Sequence, residues 1–202
     1  MTQRGRLVAS ASQTIGPFFH VGPGATERHG RMARADASGE HIRLHLRVLD
    51  GDGAPVPDAM IELRQADADG VYSSAPSPPI DPAPVFTGFG RLPTDDDGRC
   101  TFETIRPAPV RDELGATHAP HVNICIFMRG LMRHLYTRLY FAGDPVLDRD
   151  PVLSVVPADR RATLIAQPRA GAPEDSDQAP AAAEWELVIR LQGDGETVFF
   201  DI

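Results

Sequence analysis

HIRLHLRVLDGDG, residues 41–53, decides the fold. Ile42, Leu44, Leu46 and Val48 alternate with His41, Arg43, His45 and Arg47. A period of two places the apolar set on one side of an extended strand and the polar set on the other. DGDG (50–53) then supplies hairpin-turn chemistry. On this pattern His41 and His45 read as exposed side chains of the polar face.

Working outward, the same period recurs. AMIELRQA (59–66) alternates and stops at DADG (67–70), and TDDDG (94–98) precedes CTFETI (100–105). HVNICIF (121–127) runs into Arg129-Gly130, and HLYTRLYF (134–141) stops at GDP. EWELVIRLQG (184–193) and TVFF (197–200) follow. About seven short strands between Gly/Asp turns predict an all-β fold, an antiparallel β-sandwich with one solvated surface per sheet.

Three stretches break the period. Residues 1–40 are irregular and read as an amino-terminal arm, leaving 41–202 as the sandwich domain. Residues 75–93 read as a proline-rich loop that lies extended but does not pair inside a sheet. Residues 168–183 read as a second long surface loop. PADRRATLIAQ (157–167) is the one short-helix candidate, with proline at its start.

The totals limit the function classes. A length of 202 residues suits one domain with extensions, and 42% hydrophobic residues is ordinary for a globular chain. The net charge of −8, with no basic stripe, argues against a nucleic-acid partner. No apolar run reaches the roughly 18 residues of a membrane span, so no membrane partner is expected. Without an export signal, a cytoplasmic, reducing setting is expected, in which Cys100 and Cys125 are free thiols.

Few motifs carry chemistry. The Asp-rich turns resemble pieces of a calcium loop, but Gln65 and Pro93 stand where the first ligand would be. His118 and His121 are three apart, yet Pro120 and the strand period that follows predict that they diverge. In 121–127, His121, Asn123 and Cys125 share one face; a second His at position 123 would make a ligand pair, and an Asn stands there. SQTIGPFFH (12–20) reads either as an apolar arm tucked under its own domain or as one crossing to line another subunit's pocket. Arg129 reads either as a solvated turn residue or as a fork for a carboxylate.

Taken in order, SQTIGPFFHVG, GEHIRLHLRVLDGDGAPVPDAMIELRQADADGVY, APHVNICIFMRGL, HLYTRLYF and GDGETVFFD resemble the intradiol ring-cleavage dioxygenases, over nearly the whole chain. The resemblance implies a transthyretin-like β-sandwich. It also implies a non-haem Fe(III) held by two tyrosines and two histidines, hard donors suited to a hard cation. On this chain those positions fall on Tyr72, Val110, His121 and Asn123, so two of the four ligands are absent. The resemblance therefore implies an alpha-type subunit that binds no metal itself. Fe(III) would sit in a beta subunit of the same fold, within an alpha–beta hetero-oligomer.

Carried over by position, Thr14, Gly16, Pro17 and Phe18 would face the partner's iron site, Phe18 standing where the family usually has tyrosine. Arg129 would meet the ring carboxylate of protocatechuate, which with dioxygen becomes 3-carboxy-cis,cis-muconate in aromatic catabolism, the beta-ketoadipate pathway. No catalytic residue is expected in this chain. The alternatives are a self-sufficient dioxygenase with another ligand set and a non-enzymatic β-sandwich binding or scaffold protein.

Overall fold

The computed structural model describes residues 11–14, 30–73, 84–169 and 182–201. Among the described residues ten strands form: β1 (His41–Leu49), β2 (Met60–Gln65), β3 (Phe89–Pro93), β4 (Arg99–Ile105), β5 (Val110–Arg111), β6 (Thr117–His118), β7 (His121–Phe127), β8 (Leu135–Phe141), β9 (Ile165–Arg169) and β10 (Ala183–Arg190). Eight of them form one ladder in the order β3-β2-β7-β8-β9-β10-β1-β4, and β5 and β6 make a separate hairpin.

The period of two fixes the core. Ile42, Leu44, Leu46 and Val48 of β1 are buried, as are Val122, Ile124 and Ile126 of β7. They meet Ile61, Leu63, Phe102, Phe141 and Ile189 in one cluster. Each such side chain contributes about 2 kcal/mol by leaving water, which makes the strand register hard to slip. The Trp185 ring stands edge-on to Phe141, with centroids 5.1 Å apart.

The sheet departs from the antiparallel expectation at two junctions. β1 pairs β10 in parallel, and β8 pairs β9 in parallel. Parallel neighbours need a long crossover. Between β8 and β9 it is supplied by residues 142–164, which hold the helix α1 (Pro151–Val155) and a short 3-10 turn (Arg161–Leu164).

The helix is not the one read from the sequence. Asp150 accepts from the amides of Val152 and Leu153, Pro151 takes the first helical position, and Val156, before Pro157, is already extended. A proline disfavours helix in the residue before it, so α1 ends where the expected helix was to begin. Residues 165–167 of that candidate belong to β9.

Two loop boundaries also move. The end of the 75–93 segment is β3, an edge strand that pairs only with β2 in the ladder and stops at Pro93. Pro168 and Arg169 belong to β9. TVFF makes no strand; Phe200 forms a single bridge to Tyr136. His41 and His45 are half-buried rather than exposed, bound to Ala37 O and Thr101 Oγ1, each at 3.0 Å. Both cysteines are free, Cys100 buried and Cys125 half-buried.

Residues 30–34 close the gap between the two ends of the ladder. The Met32 amide donates to Glu103 O of β4 at 2.8 Å, and the Thr87 amide donates to Met32 O at 2.9 Å, just before β3. The Met32 side chain is buried, and Gly90 of β3 leaves room for it: a Cβ there would fall 2.9 Å from both Met32 Sδ and Phe102 Cδ1.

Candidate functional site

His121 and Asn123 project from the same face of β7. Their cross-strand neighbours are Tyr140 and Arg138 on β8, and Arg64 on β2 lies opposite Asn123. Tyr72 reaches this face through a tight turn in which Asp67 Oδ1 accepts from the amides of Asp69 and Val71, both at 2.9 Å. Gly70 permits that turn: its φ is +80°, and a Cβ would lie 2.4 Å from Pro109 O. Val110, on β5, sits opposite His118 of β6.

These groups form a directed chain of hydrogen bonds. His121 Nδ1 lies 2.7 Å from Ala119 O, and a carbonyl only accepts, so Nδ1 carries the proton. Nε2 is then an acceptor, and the Tyr72 hydroxyl, 3.0 Å away, donates to it. Asn123 Nδ2 donates to Tyr72 Oη at 2.9 Å, and Asn123 Oδ1 accepts from the Tyr136 hydroxyl at 2.6 Å. The amide takes the two contacts in opposite senses, donating to Tyr72 and accepting from Tyr136.

The electrostatics agree with neutral groups. Burial, then the Arg138 charge, holds the His121 pKa down to about 4. Burial pushes the Tyr72 phenol up, away from the phenolate form.

A second set stands behind. Arg138 Nη1 and His118 Nδ1 are 3.3 Å apart, and His118 Nε2 is 3.3 Å from Asp112 Oδ2. Arg138 can only donate, so His118 accepts at Nδ1 and donates from Nε2 to Asp112. The rings of His118 and His121 lie 5.9 Å apart, so they converge where the sequence pointed to divergence. The β5–β6 hairpin and the helix α1 fold His118 back over β7. Asp150 is fully buried and accepts from the Ala119 amide and the Tyr140 hydroxyl, at 2.8 and 3.0 Å.

This donor set does not fit ferric iron. Val110 has no donor atom, and the Asn123 amide nitrogen is turned toward Tyr72. The one free lone pair of His121 is already taken by the Tyr72 proton. Tyr136, Arg138 and Asp112 were not singled out from the sequence, and His118 was expected to diverge from His121. The visible signal was the pattern YTRLY in β8, which puts an arginine between two tyrosines on the Asn123 face.

Thr14 and Arg129 come together elsewhere. The Gly130 amide donates to Thr14 Oγ1 at 2.8 Å, and Gly130 has a φ of +92°. Arg129 is 69% exposed, with Asp58 Oδ2 at 3.9 Å as a loose partner. This corner follows the end of β7, roughly 25 Å along the strand from His121. Gly16, Pro17 and Phe18 lie outside the described residues.

A mostly β fold whose ladder is nearly closed, with Tyr, His and Asn on one strand face, invites comparison with known proteins. A family model described as Dioxygenase (Dioxygenase_C) matches residues 14–193. The chain belongs to this dioxygenase family, whose members include intradiol ring-cleaving enzymes.

Among its relatives is the protocatechuate 3,4-dioxygenase alpha chain of Burkholderia cepacia, 38% identical over 97% of this chain and 98% of that one. The alpha chain of Pseudomonas putida is 39% identical over 96% and 97%. The Burkholderia cepacia beta chain is 34% identical over 77% of this chain and 66% of its own length. Among solved structures, catechol 1,2-dioxygenase from Pseudomonas arvilla C-1 superposes with a TM-score of 0.63 at 29% identity, covering 81% of this chain and 55% of that one.

Proposed function

We propose that this chain is the alpha-type subunit of a protocatechuate 3,4-dioxygenase, the subunit that completes an active site without holding its metal. The observation that carries this reading is the self-satisfied set Tyr72, Asn123 and His121, in which every donor a metal would need is bound to another side chain. Fe(III) then belongs to a beta-type subunit of the same fold, and the two chains form an alpha–beta hetero-oligomer in the cytoplasm.

Iron in that subunit would activate the catechol for attack by dioxygen, giving 3-carboxy-cis,cis-muconate. This chain's part is recognition and closure. Arg129, with its guanidinium in water, offers two parallel donors to the ring carboxylate. Thr14, whose hydroxyl accepts from the Gly130 amide, would form one wall of the partner's pocket together with Gly16, Pro17 and Phe18.

The test has two stages. The chain purified alone is expected to hold no stoichiometric iron and to show no tyrosinate colour; a red, iron-loaded chain would overturn the reading. Co-expressed with a beta-type subunit it should form a tight complex that turns over protocatechuate. In that complex Arg129→Ala should raise KM by about 10- to 100-fold, the worth of a charge-assisted bond, with kcat changed far less. Wild-type kinetics in that variant would remove Arg129 from the site. A bulky replacement of Gly16 should also impair the complex, because the arm approaches the pocket through its backbone.

A further inference from the structure

One residue near the Tyr72 set has no part in the reading above. Arg138 is the direct cross-strand partner of Asn123, so their Cβ atoms are about 5 Å apart on one face of the sheet. Its guanidinium is half-buried and fixed by His118, which is tied in turn to Asp112. It lies against the oxygens of Tyr140 and Tyr136 rather than a carboxylate. Across the same row Arg64 stands on the other side of Asn123, 5.8 Å over the Tyr72 ring. The place where a metal would have to sit is thus flanked by two cations, one of them half-buried.

We infer that Arg138 bars metal from this cavity by acting as a resident cation, so that restoring the two absent donors would not by itself restore metal binding. This rests on the reading of Tyr72, Val110, His121 and Asn123 as former ligand positions.

The physical argument is charge placement. Two like charges a few ångströms apart repel strongly where water is partly excluded, and a trivalent ion multiplies that repulsion. The Arg138 charge cannot be relieved by deprotonation, because a guanidinium keeps its proton in proteins. Nor is it a free surface charge, because it is half-buried and bonded to His118 Nδ1 at 3.3 Å, with Tyr136 and Tyr140 on the same strand face. Arg138 is the one charged residue of β8, and it lies on the face that carries Tyr136 and Tyr140.

Two matched pairs of full-length variants test this. In the first, Val110→Tyr/Asn123→His is compared with the same chain also carrying Arg138→Gln. The readouts are iron equivalents per chain and the tyrosinate-to-iron absorption band. In the second, Asn123→His alone is compared with Asn123→His/Arg138→Gln, using cobalt(II) and its visible bands. This smaller change keeps the question open to measurement if the first pair does not fold. In each pair the Arg138→Gln member should bind metal at least about tenfold more tightly. Equal uptake by the two members of a pair, whether both load or neither does, would overturn the inference, as would weaker uptake by the Arg138→Gln member. Wild-type chain is the control: iron in it would sink the proposed function, an outcome separate from either result above.

Discussion

The Asn123 amide is the joint of the hydrogen-bonded set, and Asn123→Ala is the sharpest way to ask whether that set supports the fold. The substitution removes the donor to Tyr72 Oη and the acceptor for Tyr136 Oη, at 2.9 and 2.6 Å. A neutral hydrogen bond in a half-buried place contributes about 1 kcal/mol net, so the pair amounts to about 2 kcal/mol. The orphaned Tyr136 hydroxyl keeps partial access to water, which holds the loss at that level. For a chain of this length the loss corresponds to a fall in Tm of about 4–8 °C. The assay is urea denaturation of wild type, Asn123→Ala, Tyr136→Phe and the double variant. If the Tyr136–Asn123 bond is real, the two single losses overlap and the cycle returns a coupling near 1 kcal/mol. A loss within about 0.5 kcal/mol of zero, or strictly additive losses, would refute the reasoning.

Other expectations follow from the same site and from the core. His121 has a folded pKa of about 4 against an ordinary 6.5, so its neutral form stabilises the fold fully above pH 6.5. As pH falls from 6.5 toward 4 the unfolded chain takes up the proton first, and about 3 kcal/mol of stability is lost. Denaturation at pH 7 and pH 4.5 should therefore show a steeper acid loss in wild type than in His121→Gln; equal slopes would exclude the buried neutral imidazole. Gly70→Ala forces a side chain to a φ of +80° and against Pro109 O, and should cost about 2 kcal/mol or more while displacing Tyr72, read as a changed tyrosine ultraviolet spectrum. Leu44→Ala empties the middle of the core and should cost about 2–5 kcal/mol in the same denaturation assay.

Much of the architecture was readable from period alone. Residues 41–49 and 121–127 form strands with the bounds their alternation gives, because one face is fully buried and a shift of one residue would expose it. The two parallel junctions were not readable. Pairing partners such as β1 and β10 lie far apart in the chain, and no local pattern encodes which edge a late strand will join. β3 was hidden by the prolines that precede it, since an edge strand tolerates what an interior strand does not. At the site, His121 and Asn123 stood out through the strand period and Tyr72 through the family resemblance. Arg138 did not, because a charged residue in an alternating strand looks like a solvated face until the β5–β6 hairpin is seen to cover it.

The seam made by residues 30–34 has a consequence for the order in which the chain matures. The Arg31–Glu103 ion pair joins residues 72 positions apart, so this closure carries a high loop-entropy cost and forms after the neighbouring hairpins. Thr14, whose hydroxyl accepts from the Gly130 amide, precedes this seam in the chain. Pulse-labelling exchange should find the Met32 amide among the last to gain protection, and early protection there would contradict this sequence of events.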